Sequence, residues 1–419
     1  MNQVKNMVVL AAFGAVFAAS AFEVTGVTAR QRWPWNSLID VDFEIAEATA
    51  SDRFSVGITA TCDGGTRTIV GKTYRSDIIC ASGSNRLVWD FGADAPGCKT
   101  SDLRISVTAT PFASTDAAYC VIDLSEGPNA EQYPVRYTLE APVHTQGASG
   151  EPCQTTEMWL KRVVGGKYAF RATDSNHKGN FQVCLTKAFY CAVFECTQQQ
   201  WYQVMGTWPS KFVNEEFRAS RPVECVTHVG ILGQTDWPDD KSVSADSFVG
   251  RMRARAGLTS FNLPTEAQWE YVERAGNNGS YIGGNAGLAG SYARYKVNSG
   301  DVSTYQEDAT VGTAFVGSYL ANPWGFYDMT GNVAEWTLDT YGSEDSSGGV
   351  LTTLYADEIA DPGYVTDPQG PANSTSETDL HTIRGGGYAS IANDVRLFAR
   401  TSANSAKSTQ GARFVFTCE

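Results

Sequence analysis

The texture of the chain changes near residue 140, and that change limits the fold more than any other feature. Before it, apolar and polar residues alternate in short runs, such as Leu38 to Ile45, Phe54 to Ala60 and Leu103 to Ala109. A two-residue period places one face of each run in a core and the other in water, and Gly, Asp and Ser clusters separate the runs. No helical period intervenes. Residues 22–139 are therefore expected to form an antiparallel β-sandwich resembling immunoglobulin or fibronectin type III domains. Arg32-Trp33-Pro34-Trp35 is expected to pack as an aromatic plug near the first strand, with carbohydrate contact by the two tryptophans as the alternative.

Residues 140–159 are polar and interrupted by Pro142, Gly147, Gly150 and Pro152, which reads as a linker. Residues 160–419 then form the second domain, as a chain of 419 residues exceeds one compact core. Few helices are legible there. Thr265-Glu266-Ala267-Gln268 is a capping box, in which the threonine hydroxyl accepts from the amide three residues on and the glutamine reaches back. A helix should run from it to Ala275 and stop at Gly276. A second helix should start at Thr197 and run to Met205, with Trp201 and Met205 on one face. The rest reads as short strands and long loops, with residues 342–379 a long surface loop. The overall class is α+β.

The N-terminus reads as an export signal. Lys5 supplies the positive end, Met7 to Ala18 is apolar, and Ala19-Ser20-Ala21 is a small-residue cleavage site before Phe22. The apolar run is shorter than the ~20 residues that span a bilayer. The protein is expected to be secreted, with residues 1–21 as signal peptide, and not to be integral to a membrane. A net charge of −14 repels phosphate backbones, which argues against a nucleic-acid partner. Ten cysteines in an exported chain suggest disulfides. No pair has C-x-x-C spacing, which disfavours zinc ribbons and thioredoxin-like chemistry. Connectivity cannot be read from spacing.

A series of strings in the second part resembles one family. Phe189-Tyr190 through Glu195-Cys196-Thr197-Gln198 comes first, then Val204-Met205-Gly206 and Arg221 to Val226. Leu263-Pro264-Thr265-Glu266-Ala267-Gln268-Trp269-Glu270-Tyr271 and Gly325 to Trp336 are the most recognisable. Arg384-Gly385-Gly386-Gly387-Tyr388, Arg400 and Gly411-Ala412-Arg413-Phe414 complete the order. Over residues 160–419 the chain resembles the formylglycine-generating enzymes, or sulfatase-modifying factors. The resemblance implies an irregular, loop-rich fold similar to C-type lectins.

By chemistry, Asp328 to Glu335 offers two carboxylates and a Gly-Asn turn that exposes carbonyls, all hard ligands suited to calcium. The alternative is a plain turn with Glu335 capping a neighbouring element. The resemblance implies a structural calcium held by the Asp328 and Glu335 side chains and the carbonyls of Gly331 and Val333. It implies a second calcium on Asn298 with the Ser299 carbonyl, and Asp308 with the Thr310 carbonyl.

The family's oxidases use two cysteines after an R-G-G-S motif to bind copper. Here the first position falls on Ser390 and the second has no cysteine counterpart. The family serine falls on Gly387, and a tryptophan of the active-site wall on Ala334. No catalytic residue is assigned. Ser390, Gly387, Tyr388, Ala334 and Arg400 are the candidate ligand pocket, and neither copper nor iron is expected. His144, His177, His228 and His381 are scattered, and His228 is expected to pack where the family has an aromatic residue. Arg384, Arg396, Arg400 and Arg413 are expected to pair with buried acids such as Glu270 or Asp339, with ligand contact as the alternative. The favoured function is a secreted, non-catalytic, calcium-stabilised scaffold that binds a peptide, a glycan or a surface ligand. The rival is a formylglycine-generating-type oxidase acting on sulfatase-like or other proteins.

Overall fold

A computed structural model describes residues 22–32, 37–48, 53–74, 79–111, 117–170, 181–234, 237, 241–300, 310–341, 359–360, 364–370 and 380–417. The export signal, the Trp33 and Trp35 pair, His177, Asp308, most of the 342–379 loop and Cys418 lie outside the described residues. The chain divides into two compact units. One reaches to Ala118 and includes Tyr137–Ala141; the other comprises Tyr119–Arg136 and Pro142–Glu419.

The first unit is the expected sandwich. Strands β1 (Glu23–Gln31), β2 (Leu38–Ala46) and β6 (Gly83–Asp90) form one antiparallel sheet. In the other, β3 (Arg53–Cys62) pairs with β4 (Arg67–Val70), β5 (Ile79–Ala81) and β7 (Arg104–Pro111). Val41, Phe43, Ile45, Leu87 and Trp89 from one sheet meet Val56, Ile58, Ala60, Ile105 and Val107 from the other in a single apolar cluster. The period-two runs supply these residues because alternate side chains share a face. A single-turn helix, α1 (Phe91–Asp94), follows β6, and Trp89 Nε1 donates to Asp94 at 2.7 Å.

The second unit has short strands around a few capped helices. Strands β8 (Tyr119–Asp123), β9 (Val135–Thr138), β10 (Glu157–Val163), β13 (Phe189–Ala192) and β20 (Val415–Thr417) form a sheet in the order β20-β13-β10-β8-β9. A second sheet has β11 (Lys167–Phe170), β12 (Phe181–Cys184), β16 (Tyr364–Thr366) and β15 (Ile359–Ala360). A third joins β18 (Arg400–Ala403), β17 (His381–Arg384), β14 (Ala334–Thr340) and β19 (Gln410–Gly411). All seven residues of β14 are buried, as suits a strand covered on both faces.

The helices are α2 (Pro152–Thr155), α3 (Gln198–Met205), α4 (His228–Leu232), α5 (Phe248–Ala256), α6 (Glu266–Arg274) and α7 (Ala289–Tyr292). The capping box at α6 is present: Thr265 Oγ1 accepts from Gln268 N at 3.2 Å, and Gln268 Oε1 from Thr265 N at 3.0 Å. Ala275 takes the left-handed position at φ 47°, one residue before Gly276, where the sequence places the stop. Thr197 caps α3 through the same device, and Gly206 ends it at φ 72°.

The unit boundary lies earlier than composition indicates. Tyr119–Asp123, inside the 22–139 assignment, pairs with β10, with Cys120 opposite Leu160. Alternation marks a strand but not its partner. The 140–159 segment is a packed strap, not a free linker. Gln154 is fully buried and donates to the carbonyls of Ala148 and Val316, both at 2.9 Å, while Cys153 sits beside it in the interior. The His144 and Gln154 side chains point inward at specific partners, which composition alone does not reveal. Among the described residues, no helix is long and apolar enough to cross a membrane.

Candidate functional site

The turn from Asp328 into β14 builds an acidic interior. Asp328 and Asn332 sit at φ 55° and 56°, flanking Gly331 at 82°. A side chain at Gly331 would run into the Arg294 carbonyl, so this position requires glycine. The turn aims three groups inward. Asp328 Oδ2 accepts from Gly317 N at 2.7 Å; Asn332 Nδ2 donates to Glu195 Oε2 at 2.6 Å; Val333 N donates to Glu195 Oε1 at 3.0 Å. Glu195 arrives just after β13, and Glu335 on β14.

Glu335 is held by Arg413, whose Nε lies 3.1 and 3.0 Å from its two oxygens and whose Nη2 is 2.8 Å from Oε1. Trp269 Nε1 adds a 2.6 Å bond to Oε2. A carboxylate has about four acceptor positions, and these contacts use them. Among the described residues, Glu195 and Asp328 are hydrogen-bonded by amides and not by a cationic side chain. Burial, then the neighbouring Asp328 and Glu335 charges, push Glu195 well above the usual carboxylate range. Burial also lifts Asp328 to about 6, against the opposing pull of the Gly317 amide and Arg413. Asp328 Oδ1 is buried and makes no hydrogen bond among the described residues. Three carboxyl groups around one guanidinium leave a surplus of negative charge, to be neutralised by protons or by a cation. The donor chemistry of Asp328, joined by Glu195, fits a hard cation; Glu335 is committed to Arg413.

At the second predicted calcium set, an arginine approaches some of the carbonyls. The Arg294 guanidinium reaches the Asn298 carbonyl at 2.5 Å, the Gly312 carbonyl at 2.8 Å and the Thr310 carbonyl. Asn298 uses its side chain locally, accepting from Tyr295 N and donating to Ala293 O, and the Ser299 carbonyl accepts from Gly312 N. A fixed positive charge therefore sits among these carbonyls. Asp308 is not described.

Four of the five pocket candidates are brought together, and one is not. Ser390 Oγ accepts from Gly387 N at 3.0 Å, and Ser390 N returns a bond to Gly387 O at 2.9 Å, closing a tight turn. Tyr388 is buried against Phe212, with its hydroxyl 3.1 Å from Ser408 Oγ. A Cβ at Gly387 would meet Thr409 O at 3.0 Å, Asn332 O at 3.3 Å and Ala334 N at 3.4 Å. Arg400 instead forms a fork with Glu266, at 2.8 Å to each oxygen, and lies over the Tyr341 ring.

Arg384 and Arg413 also brace acids, as expected. Arg384 meets Glu270 at 2.5 Å, and Arg274 meets the other Glu270 oxygen at 2.7 Å. Asp339 accepts the Glu266 amide at the start of α6, at 2.6 Å. Arg396 donates to the Asn393 carbonyl and covers Phe398. His228 packs among aromatics as expected, stacked on His381 at 3.5 Å with Trp336 at its edge. Cys191 and Cys225 are pushed up to about 12, chiefly by burial, so these thiols keep their protons near neutrality.

The sequence shows Glu195 within a motif but assigns it no role. The available signal was an acid lodged between Phe194 and Cys196 in an otherwise apolar run.

The fold and this turn define a domain of the formylglycine-generating type, built around a buried acid cluster. The family described as "Sulfatase-modifying factor enzyme 1-like domain" matches residues 147–418, and the chain belongs to that family. Among relatives, a protein called chaperone protein LppX from Paenibacillus barcinonensis is 31% identical over 242 residues, covering 49% of this chain and 82% of that one. The formylglycine-generating enzyme of Streptomyces coelicolor is 34% identical over 36% of this chain and 43% of its own length. A Chlamydia pneumoniae protein named serine/threonine-protein kinase pkn1 is 27% identical, with only 37% of its length covered. Among solved structures, Treponema denticola variable protein 1 superposes with a TM-score of 0.46 at 23% identity, covering 66% of this chain and 99% of that one.

Proposed function

We propose that this protein is an exported, non-catalytic member of its family: a cation-stabilised scaffold that presents a surface for a peptide, glycan or cell-surface ligand. One observation carries the reading. The position that the resemblance assigns to the first oxidase thiol is Ser390, and its hydroxyl is spent on the Gly387 amide inside a closed turn. No cysteine stands at the partner position. A serine hydroxyl is hard and weakly acidic, a poor substitute for a thiolate toward a soft metal.

Calcium is the cation proposed. It would supply positive charge to the Asp328 carboxylate, with Glu195 beside it, and so pin the turn that leads into β14. Binding to the folded state alone would stabilise it by mass action. Arg294 serves as the built-in cation at the second predicted location.

The test combines metal analysis of the purified mature protein, thermal melts in calcium and in chelator, and mass spectrometry of a cysteine-containing sulfatase-type peptide after incubation. About one calcium per chain, a melt lowered by chelator and an unmodified peptide are the outcomes expected. Stoichiometric copper with conversion of the peptide thiol to an aldehyde would establish the oxidase reading instead. An unchanged melt in chelator would remove calcium from the account.

A further inference from the structure

The strap from Pro142 to α2 carries a second polar centre, separate from the acid cluster and absorbed by none of the roles above. His144 Nδ1 lies 2.7 Å from Glu151 Oε2, and Cys153 Sγ lies 4.0 Å from the same oxygen. One donor atom from each of the three residues falls within 4.8 Å of the other two. One nitrogen, one oxygen and one sulfur form a donor set of the kind zinc accepts, whereas calcium takes oxygen ligands only.

The surroundings hold these groups in place. The Gly317 carbonyl is 3.0 Å from His144 Nε2. A carbonyl oxygen only accepts, so Nε2 carries a hydrogen and Nδ1 is the nitrogen that faces the cluster. A histidine with one ring N–H tied to a carbonyl and the other nitrogen directed at a metal is the usual second-shell arrangement. The ring is packed edge-on against Phe194 and Tyr327, at 5.0 and 5.1 Å. A side chain at Gly317 would collide with it, so glycine there permits the approach. Thr145 N donates to Glu151 Oε1 at 3.0 Å, and Glu151 also caps α2, one residue before the helix that carries Cys153. The His144 side chain is 4% exposed and that of Glu151 19%, so solvent reaches the cluster from the Glu151 side.

We propose that His144 Nδ1, a Glu151 carboxylate oxygen and Cys153 Sγ form a binding site for a divalent transition metal of the zinc type. Binding displaces the thiol proton and any proton on Nδ1. The three protein ligands leave one position for water. The metal cross-links the start of the Pro142–Cys153 strap, at His144, to its end, at Glu151 and Cys153. The Gly317 peptide serves both centres, its N–H on Asp328 and its carbonyl on His144, yet they share no ligand.

The test is a cobalt titration of the reduced, chelator-stripped full chain. About one equivalent of cobalt should produce a thiolate-to-cobalt charge-transfer band, displaced by zinc and not by calcium. Cys153→Ser should abolish the band, and Cys196→Ser should leave it intact. His144→Gln keeps the thiol and removes one ligand; it should weaken cobalt binding by about tenfold or more, with circular dichroism confirming the fold. Absence of the band in the wild type overturns the proposal. So does a band that persists in Cys153→Ser, which would place the cobalt on another thiol, or a His144→Gln variant that binds as tightly as the wild type.

Discussion

The two units keep their interiors in different ways. In the first, the core is a face-to-face stack of aliphatic and aromatic side chains, and the buried carboxylates among the described residues are Asp40 and Asp90. Asp40 is reached from Arg32 at 2.7 Å, and Asp90 caps α1. In the second, α6 alone buries Glu266, Glu270, Glu273 and Arg274, and β14 buries Glu335 and Asp339. Arg384, Arg400 and Arg413 pair with Glu270, Glu266 and Glu335. A sandwich stabilised by apolar area has little to lose when charges change. A loop-rich domain that covers its polar interior with ion pairs depends on every partner being present, because a buried charge left alone is costly.

Deleting one partner in each interior tests that contrast most severely. Arg413→Met should strand Glu335 beside Glu195 and Asp328, and lower the stability of the second unit by about 3–5 kcal/mol. Calorimetry should show the transition of the first unit unmoved. Trp89→Ala should cost a similar ~3–5 kcal/mol through its cavity, and only in the first unit. If both variants shift both transitions together, the two interiors are not independent.

The pH response should separate the units next. Burial, then the stacked His381, hold His228 well below its ordinary 6.5. It stays neutral in the folded state while the unfolded chain takes up a proton, so the second unit loses stability as pH falls below 6.5. Asp339 behaves oppositely. Burial and Glu266 raise it from 3.8 to about 8, so the stability it contributes is complete below 3.8 and is lost as pH rises through 8. Asp339→Asn should flatten the alkaline limb of a melt-versus-pH series. In the first unit, Asp94 is lowered from 3.8 to about 2: burial opposes this, but the Lys72 and Thr73 amides and Trp89 outweigh it. Its contribution is present above 3.8 and is lost as pH falls through 2, so this part of the first unit's acid limb should lie below pH 3.8. An Asp94→Asn variant that leaves the first unit's melt unchanged from pH 3.8 up to neutrality would contradict this assignment.

The mildest probe is local. Thr265→Ala removes the α6 cap and should cost about 1 kcal/mol, seen as a small drop in the second transition alone. A loss several times larger would mean that α6 positions the Glu266 and Glu270 pairs as well as forming a helix.

Local rules carried the sequence reading where the chain states its own geometry. The alternating runs of the sandwich, the capping boxes at Thr197 and Thr265, and the Asp328–Glu335 turn each depend on residues close in sequence. The family strings added the order of those pieces and the loss of the oxidase thiols. Partners distant in sequence were not legible. Nothing near Tyr119 says that it pairs with β10, and nothing near Glu195 says that it meets Asn332, 137 residues on. The Arg294 guanidinium among the Asn298, Thr310 and Gly312 carbonyls was equally hidden. So was the inward turn of His144, Glu151 and Cys153 in a stretch whose composition reads as a linker. Sequence by itself determined the sandwich strands and the two box-capped helices, because short-range sterics, capping and alternation act within a few residues. Only the tertiary structure decided which buried charges share an interior, because burial and charge pairing depend on which residues the folded chain brings together.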